Sequence, residues 1–112
     1  MMRAARVMTA LGLMAIASGA AAAEPAGEAV YQRWCVHCHS TGRGNPGTDS
    51  LQIKYKGSVP AVLLDRTDLT ADAIKVFVRQ GVLSMPPFRK TEITDAELAA
   101  LSSWMASGGG KR

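Results

Sequence analysis

Five consecutive residues, Cys35-Val36-His37-Cys38-His39, hold every cysteine and histidine of this 112-residue sequence. The two thiols are three residues apart, so on one turn of helix they face the same side. That spacing lets both thiols reach the two vinyl groups of one porphyrin, while His39 can ligate its iron. C-x-x-C-H is the attachment signature of a c-type haem. The motif therefore predicts one covalent haem c, bound by Cys35 and Cys38, with His39 as the proximal axial ligand.

Two other uses of these residue types fit the sequence less well. A structural zinc site usually takes two ligand pairs from separate parts of the chain, and no cysteine or histidine lies outside the motif. A thioredoxin-like dithiol needs a βαβ pattern, and nothing in this sequence alternates strand and helix in that way. Haem attachment is therefore favoured over both a zinc site and a thioredoxin-like dithiol.

The second axial ligand can be approached by elimination. His37 lies inside the attachment motif, on the proximal side, and only Met85 and Met105 follow residue 23 among the methionines. Met105 falls on the apolar face of a predicted helix, where methionine commonly fills gaps in a core. Met85 instead precedes Pro86-Pro87, which stiffen the backbone. The sequence therefore predicts Met85 as the distal ligand, opposite His39.

Ligation by one histidine and one methionine has a functional consequence. It fills both axial positions of the iron and raises the reduction potential. A haem enzyme that acts on peroxide or oxygen needs an open position and distal acid–base groups, and no histidine remains to serve there. We therefore expect a non-enzymatic electron carrier.

The first 23 residues resemble a targeting segment. Arg3 and Arg6 form a positive start, an apolar stretch runs from Val7 to Ala17, and Ala21-Ala22-Ala23 gives an A-x-A-like cleavage site. The apolar stretch is shorter than the roughly 20 residues that a membrane span needs. We expect a signal peptide cleaved after Ala23, a single domain over residues 24–112, and a periplasmic protein with no stable membrane insertion. An uncleaved anchor is the alternative.

Charge and size limit the remaining possibilities. The formal net charge of +4 falls by two when Arg3 and Arg6 leave with the signal peptide. No basic stripe with interleaved aromatic residues is present, so we expect no nucleic-acid partner. A domain this small generally needs a disulfide, a metal or a bound cofactor in addition to its core in order to fold stably. Covalent haem is such a cofactor, and the haem-free chain is predicted to be largely unfolded or molten.

Helical patterns surround the motif. A first helix is predicted from about residue 26 to 38, carrying the motif at its end, and Gly and Pro residues predict a loop over 40–60. The apolar stretch 60–64 is too short to assign to helix or strand.

Two further helices have clear start signals. Thr70 is a predicted N-cap, with Gly81 as the stop. Thr94 and Glu97 form a predicted capping box for a last helix that ends at Gly108. The residues of that last helix predicted to face inward are Leu98, Leu101, Trp104 and Met105.

Taken in order, these motifs resemble the class I cytochromes c: Gly27-x-x-x-Tyr31-x-x-x-Cys35-x-x-Cys38-His39, Met85-Pro86-Pro87-Phe88 and Leu101-x-x-Trp104-Met105. The resemblance implies an all-α fold of three to four helices wrapped around one covalent haem. It implies that the first and last helices cross, with Gly27 close to Trp104. It also implies that the carbonyl of Pro46 accepts a hydrogen bond from the proximal His39, which would orient the ring.

A narrower resemblance concerns the partner. Residues 66–81 and 85–98 are similar to the cytochrome subunits of 4-cresol dehydrogenase (p-cresol methylhydroxylase)-type flavocytochromes, which implies an FAD-containing dehydrogenase subunit as electron donor. A mobile carrier and a tightly bound dehydrogenase subunit therefore remain two hypotheses. Cations that flank the haem segments could steer an acidic redox partner: Arg33, Arg43, Arg89 and Lys90.

Overall fold

The computed structural model describes residues 26–109 and 111, so the predicted signal peptide over residues 1–23 lies outside the described residues. Five α-helices follow one another, with one turn of 3-10 helix, Leu63–Asp65, between the third and the fourth. They are α1 (Gly27–Trp34), α2 (Val36–His39), α3 (Pro46–Tyr55), α4 (Ala71–Gln80) and α5 (Asp95–Ala106). The all-α prediction is confirmed, with more helices than the three to four expected.

No strand forms within this part of the chain, where the β-type pairing is an isolated bridge between Val82 and Met85. None of the described helices is both long enough and apolar enough to cross a membrane.

The first and last helices cross at Gly27, as the class I resemblance implies. A Cβ atom at Gly27 would meet the carbonyl oxygen of Ala100 and the Cβ of Trp104, so only glycine allows the two helices to approach this closely. Beside the crossing, the rings of Tyr31 and Trp104 lie 5.6 Å apart between centroids. The buried apolar core consists of Val30, Tyr31, Ile74, Val78, Ile93, Leu98 and Leu101. This core joins α1, α4 and α5 into one frame.

The predicted first helix is interrupted at Cys35. The Cys35 amide still donates to the Tyr31 carbonyl at 2.8 Å, closing α1. The Cys35 carbonyl then accepts from both Cys38 (3.1 Å) and His39 (3.0 Å), which starts α2. The motif therefore lies on a separate short turn after α1, and not at the end of one continuous helix.

The predicted loop over residues 40–60 is wrong in its middle, where ten residues form α3. Pro46 occupies the first turn, a position that needs no amide donor. At the other end Lys56 (φ 52°) and Gly57 (φ 85°) are left-handed and stop the helix. The residues that indicated a loop thus mark the two ends of a helix.

The predicted starts of α4 and α5 are confirmed. Thr70 Oγ1 accepts from the Ala73 amide at 3.2 Å. At α5 the capping box is complete, because Thr94 Oγ1 accepts from the Glu97 amide (3.2 Å) and Glu97 Oε2 accepts from the Thr94 amide (2.8 Å). Gly81 directly follows α4, whereas α5 ends at Ala106, slightly before the predicted Gly108.

Candidate functional site

Both cysteines of the motif are free thiols, Cys35 half-buried and Cys38 exposed. Burial, and secondly the nearby Cys38, raise the pKa of the Cys35 thiol to about 11. Cys35 is therefore protonated at neutral pH. Cys35 and Cys38 would hold a haem through thioether bonds, which form from thiols that are not paired in a disulfide.

The imidazole of His39 faces the first turn of α3. A Cβ atom at Gly47 would lie 2.6 Å from His39 Cε1 and 2.7 Å from Nδ1, so the α3 backbone packs directly on the ring. Burial lowers the pKa of His39, which favours the neutral imidazole that binds metals. Nδ1 is itself buried and has no hydrogen-bond partner within residues 26–109 and 111.

The hydrogen bond from His39 to Pro46 that the resemblance implied is not formed in this structure. The reason is the unexpected helix. Pro46 stands in the first turn of α3, where a carbonyl points along the helix axis toward the amide four residues on. Gly47, and not Pro46, is the α3 residue that lies against the ring.

The backbone around His39 is held by three side-chain hydroxyls. Tyr31 Oη donates to the His39 carbonyl at 3.2 Å. Thr48 Oγ1 donates to the Ser40 carbonyl at 2.8 Å, and Ser40 Oγ donates to the Val36 carbonyl at 2.5 Å. Thr48 is buried, and its bond fixes the start of α3 to the residue that follows α2.

The predicted distal ligand lies in residues 81–93, which we call the methionine loop. Its first half forms a tight turn just after α4, in which Val82 and Met85 exchange backbone hydrogen bonds of 3.1 and 2.9 Å. A Cβ atom at Gly81 (φ 68°) would lie 2.5 Å from the Met85 carbonyl oxygen and 2.8 Å from Pro87 N. Only glycine fits there in conformation and in space. Met85 is half-buried and packs on the core.

The second half of the methionine loop is tied to three helices. The Phe88 amide donates to the Val78 carbonyl of α4 at 2.8 Å. The Phe88 ring meets Trp34 of α1 edge-on, with centroids 5.7 Å apart. Arg79 of α4 bonds to the loop backbone and to α5. Sequence reasoning missed Arg79, for which the only local signal is a basic residue in the last turn of a helix.

The other predicted residues take the places expected of them. Met105 is half-buried and packs against the core. His37 is exposed on α2. In the part of the chain that the structure describes, no three of the His, Cys, Asp and Glu side chains are grouped to hold a metal ion, so the donors of the motif do not converge as zinc would require. Cys35 and Met85, by contrast, pack on the same core.

The site fits a haem. Besides His39 Nδ1, Trp34 Nε1 is a buried polar atom without a partner among the described residues. Large apolar side chains are exposed on α3, on α4 and just before Met85: Ile53, Val76, Phe77, Val82 and Leu83. Leu83 is 98% exposed and left-handed, with φ 52°. The two thiols and the neutral imidazole of the motif are the groups with which a protein binds a c-type haem.

Three of the four cations proposed to steer a partner have acidic neighbours. Arg89 pairs with Glu92 at 3.1 Å, and Lys90 pairs with Asp95 at 2.9 Å. Arg33 is close enough to Glu97 to help lower the pKa of that carboxyl. The positive field around the methionine loop is therefore weaker than the sequence alone suggests.

Comparison with known proteins shows which family this chain is similar to. Residues 22–105 match the family model described as cytochrome C oxidase, cbb3-type, subunit III. The structure of a mutant of OmcF is similar, with a TM-score of 0.51 and 16% identity over 78% of this chain and 99% of that chain. OmcF, described as outer membrane cytochrome F from Geobacter sulfurreducens, has a TM-score of 0.47 and 15% identity over 74% and 98%. No curated protein matches.

The fold and the site define a small c-type cytochrome with a haem c cofactor. The chain belongs to the family whose model is described as cytochrome C oxidase, cbb3-type, subunit III. It is an electron-transfer protein. None of the comparisons supports the narrower resemblance to the 4-cresol dehydrogenase cytochrome subunits.

Proposed function

We propose that this cytochrome is an exported, periplasmic single-electron carrier whose haem iron is ligated by His39 and Met85. The observation that carries the proposal is the form of the methionine loop. It folds on Gly81 at the end of α4 and packs Met85 onto the core that also receives Cys35. A loop held in this way presents a thioether in a fixed position.

The chain has a separate part for each task. Cys35 and Cys38 would hold the haem covalently, and the haem supplies the one-electron chemistry when bound. Gly47 covers Nδ1 of His39, which leaves Nε2 as the nitrogen that can ligate iron. Met85 would occupy the opposite position. With both positions filled there is no open site for peroxide or oxygen, and the protein transfers electrons without catalysing a reaction.

Export is supported by the targeting pattern of residues 1–23 and by the motif itself, since haem c is attached outside the cytoplasm. The proposed partners are redox proteins that deliver and remove single electrons. A stable complex with an FAD-containing dehydrogenase subunit is the other arrangement. Purification from the native host separates the two, because a bound flavoprotein adds flavin absorbance to the haem spectrum.

Axial ligation is tested by absorption spectra of the holoprotein and of Met85→Ala. Ferric haem with methionine as axial ligand has a weak long-wavelength charge-transfer band. We expect that band in the wild type, its loss in Met85→Ala, and its retention in Met105→Leu, a core variant of the other mature-chain methionine. A band that persists in Met85→Ala would show that the assignment of Met85 is wrong.

A further inference from the structure

Arg79 contacts the methionine loop and α5 at the same time. Its Nη1 donates to the carbonyl oxygens of Phe88 at 3.1 Å and Ile93 at 2.8 Å. Its Nη2 donates to Asp95 Oδ1 at 2.9 Å. The side chain is 23% exposed, which makes it the more shielded member of its ion pair with Asp95, exposed to 67%. A shielded guanidinium with two backbone carbonyls as partners restrains the loop more firmly than a surface ion pair does.

We propose that Arg79 is the positioning residue for Met85, holding the second half of the methionine loop so that the thioether stays on the iron. This inference rests on the proposed His39/Met85 ligation. The restraint applied at Phe88 reaches Met85 because only Pro86 and Pro87 separate the two, and proline fixes its own φ angle. A displacement of the Phe88 backbone is therefore passed on to Met85.

The loop has other restraints in this half, among them the Arg89 amide bond to Glu92 at 2.8 Å and the edge-on contact of Phe88 with Trp34, but these do not hold the two carbonyls that Arg79 holds. The Phe88 amide is held by the Val78 carbonyl at 2.8 Å, but the Phe88 and Ile93 carbonyls both depend on Arg79. Asp95 is different, because Lys90 also pairs with it at 2.9 Å. Loss of Arg79 would therefore leave the Phe88 and Ile93 carbonyls without this donor, whereas Asp95 would keep Lys90 as a partner.

Lysine cannot replace this arrangement in full. The guanidinium is a planar fork with five N–H donors, and it serves three acceptors on two segments from one position. An ammonium group on a flexible stem keeps the charge but loses the fixed geometry. Arg79→Lys should therefore restore part of the restraint, and Arg79→Gln should restore almost none.

The test measures how readily imidazole displaces the distal ligand from ferric holoprotein. The variants are Arg79→Gln and Arg79→Lys. The matched control is Lys75→Gln, one turn earlier on α4, which removes the same charge from a residue whose ion pair with Asp72 (3.6 Å) stays within that helix. All are compared at a temperature at which near-UV circular dichroism shows them folded. We expect imidazole to bind about tenfold faster to Arg79→Gln than to the wild type, which is the effect of losing roughly one charge-assisted hydrogen bond.

The expected order of rates is Arg79→Gln above Arg79→Lys, with Lys75→Gln equal to the wild type, and a lower reduction potential in Arg79→Gln. Equal rates and potentials in Arg79→Gln and Lys75→Gln would overturn the proposal and leave Arg79 a purely structural role. If Arg79→Gln does not fold, Arg79→Lys decides by the same comparison.

Met85→Ala separates this failure from that of the proposed function. Fast imidazole binding in Met85→Ala, with Arg79→Gln equal to the control, would refute only the role of Arg79. A Met85→Ala variant that binds imidazole no faster than the wild type would refute the ligation and the inference together.

Discussion

The two sides of the site are held in different ways. On the proximal side, residues 35–48, the proposed ligand His39 directly follows Cys38, the second of the two proposed attachment cysteines, and lies against the backbone of Gly47. Its fixing bonds come from neutral hydroxyls, including Tyr31 and Thr48. On the distal side, the methionine loop depends on a charged side chain, Arg79, on another helix. The proposed proximal ligand is thus held by close packing and neutral hydroxyls within a short stretch of chain, and the proposed distal ligand by a charged side chain from another helix.

This contrast predicts where each side fails. The proximal side depends on covalent attachment and close packing, so it should fail through loss of haem or through a clash. The distal side depends on a small number of hydrogen bonds, so it should loosen while the protein remains folded. Variants that change only one side of the site test this difference.

The largest effect is expected from the double variant Cys35→Ala, Cys38→Ala. Without the two thioether bonds the domain loses its covalently bound haem and must fold around a small apolar core alone. We therefore expect no cooperative thermal transition and no native-like near-UV circular dichroism. Calorimetry and circular dichroism measure both. Met85→Ala, which keeps both thioethers, is the control and should still unfold cooperatively. A cooperative, native-like double variant would show that the helices need no haem.

A smaller effect is expected from Gly47→Ala on the proximal side. The new Cβ would lie 2.6 Å from His39 Cε1 and 2.8 Å from the Cys38 carbonyl oxygen. Overpacking typically costs about 1–3 kcal/mol, which exceeds the roughly 1 kcal/mol that alanine gains over glycine in a helix. Denaturant unfolding of the ferric holoprotein should show net destabilisation.

The control for that measurement is Ser50→Ala, an exposed position on α3, which should change stability by less than about 0.5 kcal/mol. If Gly47→Ala is as stable as the wild type, the ring does not pack on α3 as described. The proximal side would then resemble the distal side in being adjustable.

The smallest effect concerns acid and the capping box of α5. The hydrogen bond from the Thr94 backbone amide is the main reason that the pKa of Glu97 is lowered. Because the folded pKa lies below the unfolded one, Glu97 stabilises the fold above about pH 4.3, and this contribution is lost as the pH falls through the folded value. Glu97→Gln should lose less stability on acidification than the wild type.

Unfolding free energies measured across that pH range check the prediction. Glu28→Gln, which removes a carboxylate from the first turn of α1, is the matched control and should follow the wild type. An identical acid response in Glu97→Gln and the wild type would contradict the role given to the capping carboxylate.

Local sequence signals predicted the parts of the fold that local interactions determine. Thr70 and the Thr94–Glu97 box gave the starts of α4 and α5, because capping is a contact between residues three apart. The sequence did not predict α3, because this helix has no comparable local signal. Asn45-Pro46-Gly47 has the composition of a turn, and the exposed Ile53 shows that its apolar residues are not gathered on a buried face.

The site divides in the same way. Cys35, Cys38 and His39 form a motif, and Met85 was left by elimination. Gly47 and Arg79 carry no such signal, because each acts across a tertiary contact, on a ring eight residues away and on a carbonyl nine residues away. The break at Cys35 likewise depends on the carbonyl of that residue serving two amides. Spacing alone does not reveal contacts of this kind.

The edge-on pair of Trp34 and Phe88 gives the protein a built-in optical reporter. Trp34 is the residue before the first attachment cysteine, so its emission would be strongly quenched by energy transfer to a haem bound there. Trp104 lies instead at the crossing of α1 and α5, against Tyr31. Energy transfer reaches across a domain this small, so a bound haem would quench Trp104 too while the protein is folded. Recovery of Trp34 emission would report loosening beside the motif, and recovery of Trp104 emission the separation of α1 and α5 from the haem. Single-tryptophan variants would make these two events visible as separate signals.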